Sequence, residues 1–170
     1  MENKQRKIIQ EEVRNEFGEL EGMFIPNYRK KENFLSNAEY KFYKTLKKIY
    51  EKNSNIEIFV QVALNRIIEF NNERAKKEFS YYKLNERSID FVIYDTGKNN
   101  FSILYCIELN DKSHEENQER VKRDIILETI FKTANIELKM VKLKDIKRDI
   151  SNGKEYFNLE SVKQLLNIKD

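Results

Sequence analysis

The stretch Ser88-Ile-Asp-Phe-Val-Ile-Tyr-Asp-Thr-Gly-Lys-Asn-Asn-Phe-Ser-Ile-Leu-Tyr-Cys-Ile-Glu-Leu-Asn110 decides how this chain folds. Residues 88–94 and 104–110 are rich in branched and aromatic side chains, and the turn-forming residues 95–100 lie between them. This pattern predicts two antiparallel strands closed by a loop of about five to seven residues. Each strand carries one acid among apolar neighbours, Asp90 and Glu108. Side chains alternate along a strand, so Asp90 shares a face with Val92 and Tyr94, and Glu108 shares one with Leu104, Cys106 and Asn110. The hairpin then sets Asp90 opposite Cys106 or Glu108, within about 5–8 Å of the second carboxylate. Two such acids repel each other and resist desolvation, and a cation between them relieves both penalties. Apolar residues on both faces mark these strands as central and covered on each side.

The pattern outside the hairpin predicts helices around it. Leu35, Ala38, Phe42, Leu46 and Ile49 form a helical stripe, and Ser36-Asn-Ala-Glu39 is a capping box at its start. Ile56, Ile58, Val60 and Val62 alternate with Glu57, Phe59 and Gln61, which predicts a strand with one apolar face. Residues 71–87 are polar and basic and read as an excursion between strands, with Tyr81 and Tyr82 able to stack bases or to pack on the core. A helix is expected over residues 115–134, capped by Ser113-His-Glu-Glu116 and ending near Asn135. A strand follows over 138–143, then a polar stretch holding Asn152-Gly153, then a short helix with Leu159, Val162, Leu165 and Leu166. The order is α-β-β-β-α-β, a mixed α/β sheet flanked by helices over residues 31–170. Residues 1–30 form a separate N-terminal arm, amphipathic through Ile9, Val13, Phe17 and Leu20 and broken at Gly22 and Pro26.

Composition narrows the function classes. The chain has 170 residues, enough for one domain with a core. The net charge of +3 with both signs interspersed does not mark a strongly basic nucleic-acid binder, although paired lysines and arginines permit a local phosphate track. One cysteine excludes an internal disulfide, and one cysteine with one histidine excludes a zinc ribbon. No apolar run is long enough for a signal peptide or a membrane span, so a reducing cytoplasm is the expected compartment.

Asp90, Glu108 and Asn110 supply two carboxylates and an amide oxygen, the ligand types a hard cation such as Mg²⁺ prefers. A site of this kind activates water and neutralises charge on a phosphate; the plainer reading makes Asp90 a turn or cap residue and Glu108 the partner of a lysine. The capping box alone explains Glu39, and a catalytic or metal role is the alternative. Gln61 either faces the acids or bonds a neighbouring loop. His114, the single histidine, falls in the first turn of a helix just beyond the Glu108 strand, where it is either a surface residue or an acid/base or phosphate contact. Arg120, Lys122 and Arg123 are phosphate contacts or a solvated helix face.

These residues together, in Phe34-Leu-Ser-Asn-Ala-Glu-Tyr-Lys-Phe-Tyr43, Val60-Gln61-Val62, Ile89-Asp-Phe91, Ile107-Glu-Leu-Asn-Asp-Lys-Ser-His114 and Arg123-Asp124, resemble an uncharacterised bacterial family, the domain of unknown function 2726. That family belongs to the restriction-endonuclease-like PD-(D/E)XK superfamily and is similar to the very-short-patch-repair endonucleases. The resemblance spans roughly residues 34–143 and implies a restriction-endonuclease-like central mixed sheet with a nuclease-type site. On it, Asp90 and Glu108 hold Mg²⁺ or Mn²⁺, the first helix offers Glu39, and Gln61 and His114 occupy polar positions nearby. The superfamily's lysine, two residues after the second acid, is here Asn110, where the closer family carries aspartate. Lys112 or His114 would then supply the missing function.

The expected function is metal-dependent hydrolysis of phosphodiester bonds in DNA or another polynucleotide. The competing expectation is a catalytically silent module on the same fold that binds nucleic acid or protein. A third is a structural domain whose arm drives homo-oligomerisation.

Overall fold

The computed structural model describes residues 7–8, 29–81, 84–97, 102–110, 118–151 and 154–168. The chain divides into two units, Met1–Phe34 and Leu35–Asp170. Of the arm over residues 1–30 only Lys7, Ile8, Arg29 and Lys30 are described, so its expected amphipathic stretch through Ile9, Val13, Phe17 and Leu20 lies outside the described residues.

The second unit is a mixed α/β structure. Its helices are α1 (Asn37–Ile49), α2 (Glu73–Tyr81), α3 (Gln118–Thr133) and α4 (Leu159–Leu165). Its strands are β1 (Ile56–Ala63), β2 (Ser88–Asp95), β3 (Ser102–Asn110), β4 (Leu138–Lys142), β5 (Arg148–Ser151) and β6 (Lys154–Phe157). The main sheet runs β1-β2-β3-β4, and β5 pairs with β6 separately. β1, β2 and β3 are antiparallel, whereas β4 lies parallel to β3. A parallel return needs a long crossover, which α3 supplies. That helix stops at Asn135, whose φ of 55° is the left-handed cap that asparagine tolerates.

Two apolar layers hold the sheet. Phe42 and Leu46 of α1, with Val162 and Leu166, pack on Phe91, Ile93, Tyr105 and Ile107. Leu127 and Phe131 of α3, with Leu64, Ile68 and Leu84, pack on Val92 and Cys106. β2 and β3 are thus covered on both faces, as their unbroken apolar runs require. Burial pushes the Cys106 thiol up to about 12, so it stays protonated and behaves as a small hydrophobe.

Three features depart from the pattern read in the sequence. The excursion over 71–87 contains a helix, α2. Asn72 caps it by accepting from the Ala75 N–H at 2.9 Å, and Arg74 pairs with Glu78 one turn on at 2.9 Å. Caps and surface pairs support this helix, and its sequence offers only Ala75 and Phe79 at helical spacing, too short a stripe to signal it. The polar stretch near Asn152-Gly153 is flanked by the β5–β6 ladder, which buries Phe157 and leaves Ile150 80% exposed. Tyr82 and the side chain of Tyr81 lie outside the described residues.

The third departure shapes the site. Ile56, Ile58 and Val60 pack with the α1 layer, whereas Val62 packs with the α3 layer. β2 changes layer in the same row: Ile89 belongs with α3 and Phe91 with α1. The β1–β2 pairing runs Val60↔Phe91 and then Val62↔Ile89. Gln61, between them, has φ 52°. A left-handed residue breaks the two-residue alternation, so the four apolar residues of β1 do not share one face. A conformation of this kind costs a non-glycine residue on the order of 1 kcal/mol and clusters where side chains must be held for a purpose.

Candidate metal centre

The β2–β3 ladder ends at Phe91↔Ile107, while β3 continues paired with β4 as far as Asn110↔Lys142. The strands therefore fork, and the row beyond the last β2–β3 pair holds Asp90 beside Glu108. Cys106 donates its N–H to Glu137 of the segment leading into β4, so the N–H of Leu109, an odd number of residues on, faces β2. With the ladder ended, that N–H is taken by Asp90 Oδ2 at 2.8 Å. The Asp90 N–H in turn donates to Glu108 Oε2 at 3.4 Å. Each acid thus closes a gap that the fork opens in the sheet.

Glu39 and Gln61 complete the cluster. The Gln61 side-chain amide donates to Glu39 Oε1 at 2.8 Å and to Asp90 Oδ1 at 2.9 Å, clamping both carboxylates. Ser88 donates its hydroxyl to Gln61 Oε1 at 2.6 Å, which fixes which end of the amide meets the acids. Glu39 has a second task, because its Oε2 accepts the Ser36 N–H at 2.6 Å while Ser36 Oγ accepts the Glu39 N–H at 3.2 Å. The capping box and the site are one construction: the cap points Glu39 at Gln61. Ser36→Ala is expected to cost about 1 kcal/mol of stability, read by urea denaturation, with Ser36→Asp restoring most of it.

The electrostatics record unbalanced negative charge. Burial raises the Glu108 carboxyl to about 8, the Asp90 charge adds to the rise, and Asp124 on α3 adds further. Arg87, just before β2, opposes this rise. Asp90 is raised to about 6, first by burial and then by Glu39, while the Leu109 N–H and Gln61 hold it down. Such groups ionise readily only when a cation joins them.

The donor set fits a hard divalent ion held by one or two carboxylates and several waters, as Mg²⁺ prefers. Asp90 and Glu108 would hold it. Among the described residues, no group of three or more His, Cys, Asp or Glu side chains is placed to hold a metal ion, so Asp90 and Glu108 are a pair of acids and not a full ligand set. Asn110 lies on β3 two residues beyond Glu108 and on the same face, half-buried. His114 and Lys112 lie outside the described residues. Lys122 and Arg123 are exposed on α3, and the side chain of Arg120 is outside the described residues. Strand parity gives no signal for Arg87 and Asp124, whereas Ser88 has the parity of Asp90 and reaches the acids through Gln61. An apolar groove of about 370 Å³ lies elsewhere, lined by Ile68, Phe70, Leu84, Ile126 and Ile130 among others, and holds none of these acids.

Among the described residues, no helix is long and apolar enough to cross a membrane. No curated protein and no solved structure matches the chain. The sequence model of one family, described as "Protein of unknown function (DUF2726)", matches residues 31–158.

Proposed function

We propose, for a chain that belongs to the DUF2726 family, a metal-dependent phosphodiesterase of restriction-endonuclease-like type, acting on DNA or another polynucleotide. The observation that carries this reading is the row of two part-buried carboxylates at the fork of β2 and β3, both raised above the usual carboxylate range. A charged pair in such a place is costly to the fold unless it serves a cation. The sheet order and the resemblance to the PD-(D/E)XK superfamily and the very-short-patch-repair endonucleases agree with this assignment. Mg²⁺ or Mn²⁺ would supply charge neutralisation and an activated water when bound.

The chain's own residues prepare the site. The Leu109 N–H and the Gln61 amide hold Asp90 by separate oxygens, fixing its plane. Glu108 keeps its proton at neutral pH until positive charge arrives, and gives it up when it becomes a ligand. Asn110 carries an amide oxygen on the same face but neither a titratable proton nor a positive charge. That asparagine favours the second reading, a silent nucleic-acid- or protein-binding module on this fold.

Incubation with single- and double-stranded DNA and RNA separates the two. Cleavage is expected with Mg²⁺ or Mn²⁺ and none with EDTA. Binding that survives EDTA, weakens with salt and never leads to cleavage would establish the silent module instead.

A further inference from the structure

The acids leave a problem for any polyanionic substrate. Glu39, Asp90, Glu108 and Asp124 repel a phosphate, and among the described residues Arg87 opposes that charge at Glu108 from the β2 side. The opposite side is β4. Its parallel register with β3 runs Cys106↔Leu138, Glu108↔Met140 and Asn110↔Lys142. Leu138 and Cys106 both pack with the α3 layer, so by alternation Glu108, Asn110, Met140 and Lys142 lie along that same face.

Lys142 is therefore the lateral neighbour of Asn110, on the next strand about 4.8 Å away. It is exposed and makes no ion pair among the described residues. The other lysine of β4 differs. Lys139 lies on the opposite face, bound to Glu137 at 2.7 Å and set over the Tyr105 ring at 4.8 Å. A flexible four-carbon stem lets the Lys142 ammonium reach over Asn110 towards the row of acids.

We propose that Lys142 is a phosphate-contact residue of this site, its ammonium meeting a non-bridging oxygen of the phosphodiester that Asp90 and Glu108 receive. The assignment rests on the phosphodiesterase reading above. It places one fixed positive charge on each flank of the acids, Arg87 from β2 and Lys142 from β4. The contact is made to the phosphate and not to the ion, so it adds to substrate binding and contributes no ligand to the metal.

The test uses the full chain and a fluorescein-labelled DNA hairpin with a single-stranded tail, followed by anisotropy across a salt series and by cleavage with Mn²⁺. Lys142→Gln is expected to weaken binding about tenfold at low salt and to reduce the slope of log affinity against log salt by about 0.7–0.9. Lys142→Arg should restore most of the affinity, and the Mn²⁺ affinity of Lys142→Gln measured by calorimetry should not fall. Lys52→Gln, at the far end of the sheet from the acids, should behave as wild type. Equal binding and cleavage by wild type and Lys142→Gln would overturn the Lys142 assignment and leave the phosphodiesterase reading standing, as would an equal loss in Lys52→Gln. A wild-type protein that neither binds nor cleaves the hairpin would overturn the phosphodiesterase reading for this substrate, and the Lys142 contact with it.

Discussion

Glu108→Gln is expected to make the protein more stable at pH 8 while removing its metal-dependent cleavage. Glu108 ionises near 4.5 in an unfolded chain and near 8 in the fold. Between those values the folded state holds a proton that the unfolded state has lost. Wild-type stability should therefore fall as pH rises through this window, by on the order of 2–4 kcal/mol, and be level below it. Glutamine carries no charge at any pH and still offers its oxygen to the Asp90 N–H, the bond that Glu108 Oε2 now accepts at 3.4 Å. Its gain should then appear at pH 8 and vanish below about pH 4.5. Urea denaturation at pH 4.5 and pH 8 measures both ends. Added Mn²⁺ should raise wild-type stability at pH 8 by mass action and leave the variant unchanged. A variant that loses stability at pH 8 would show that Glu108 is balanced by cations already in the fold.

Asp90→Asn should abolish cleavage without that compensation. Both oxygens of Asp90 accept from donors, Gln61 on one and the Leu109 N–H on the other. An asparagine must turn its NH₂ towards one of them, setting donor against donor. The cost is about 1–3 kcal/mol, partly offset at high pH because the repulsion of Glu39 and Glu108 is lost. Loss of a ligand carboxylate removes several kcal/mol of transition-state stabilisation, so the rate should drop by at least about 10²–10³-fold. Cleavage assays and thermal denaturation together distinguish this variant from Glu108→Gln: one inactive and weakened, the other inactive and strengthened. If Asp90→Asn cleaves at the wild-type rate, the acids are not the reaction centre.

The central part of this architecture was legible because short-range chemistry dictates it. An acid in each arm of an apolar hairpin, of fitting parity, already places Asp90 near Glu108. The choice between Cys106 and Glu108 needed the register, which an irregularity between Ile93 and Tyr94 sets. The capping box of Ser36 and Glu39 was readable as a cap, but its alignment on Gln61 follows from how α1 packs. Gln61 itself carries no signal of its backbone: a left-handed residue in a strand is expected to be glycine, and here tertiary contacts override that preference. Arg87 acts from just outside the strand and Asp124 from the crossover helix, so the period of neither β2 nor β3 encodes them. Helix α2, of 9 residues, and strands β5 and β6, of 4 residues each, are too short for their sequences to show a clear period.

The change of layer at Gln61 also gives the site a mechanical character. One half of β1 is fastened to the α1 side of the molecule and the other half to the α3 side, with the Gln61–Asp90 row as the seam. Sliding one side over the other would have to twist that seam. The Gln61 amide spans that seam, so the spacing of the Glu39 and Asp90 carboxylates is tied to how the two packed sides meet.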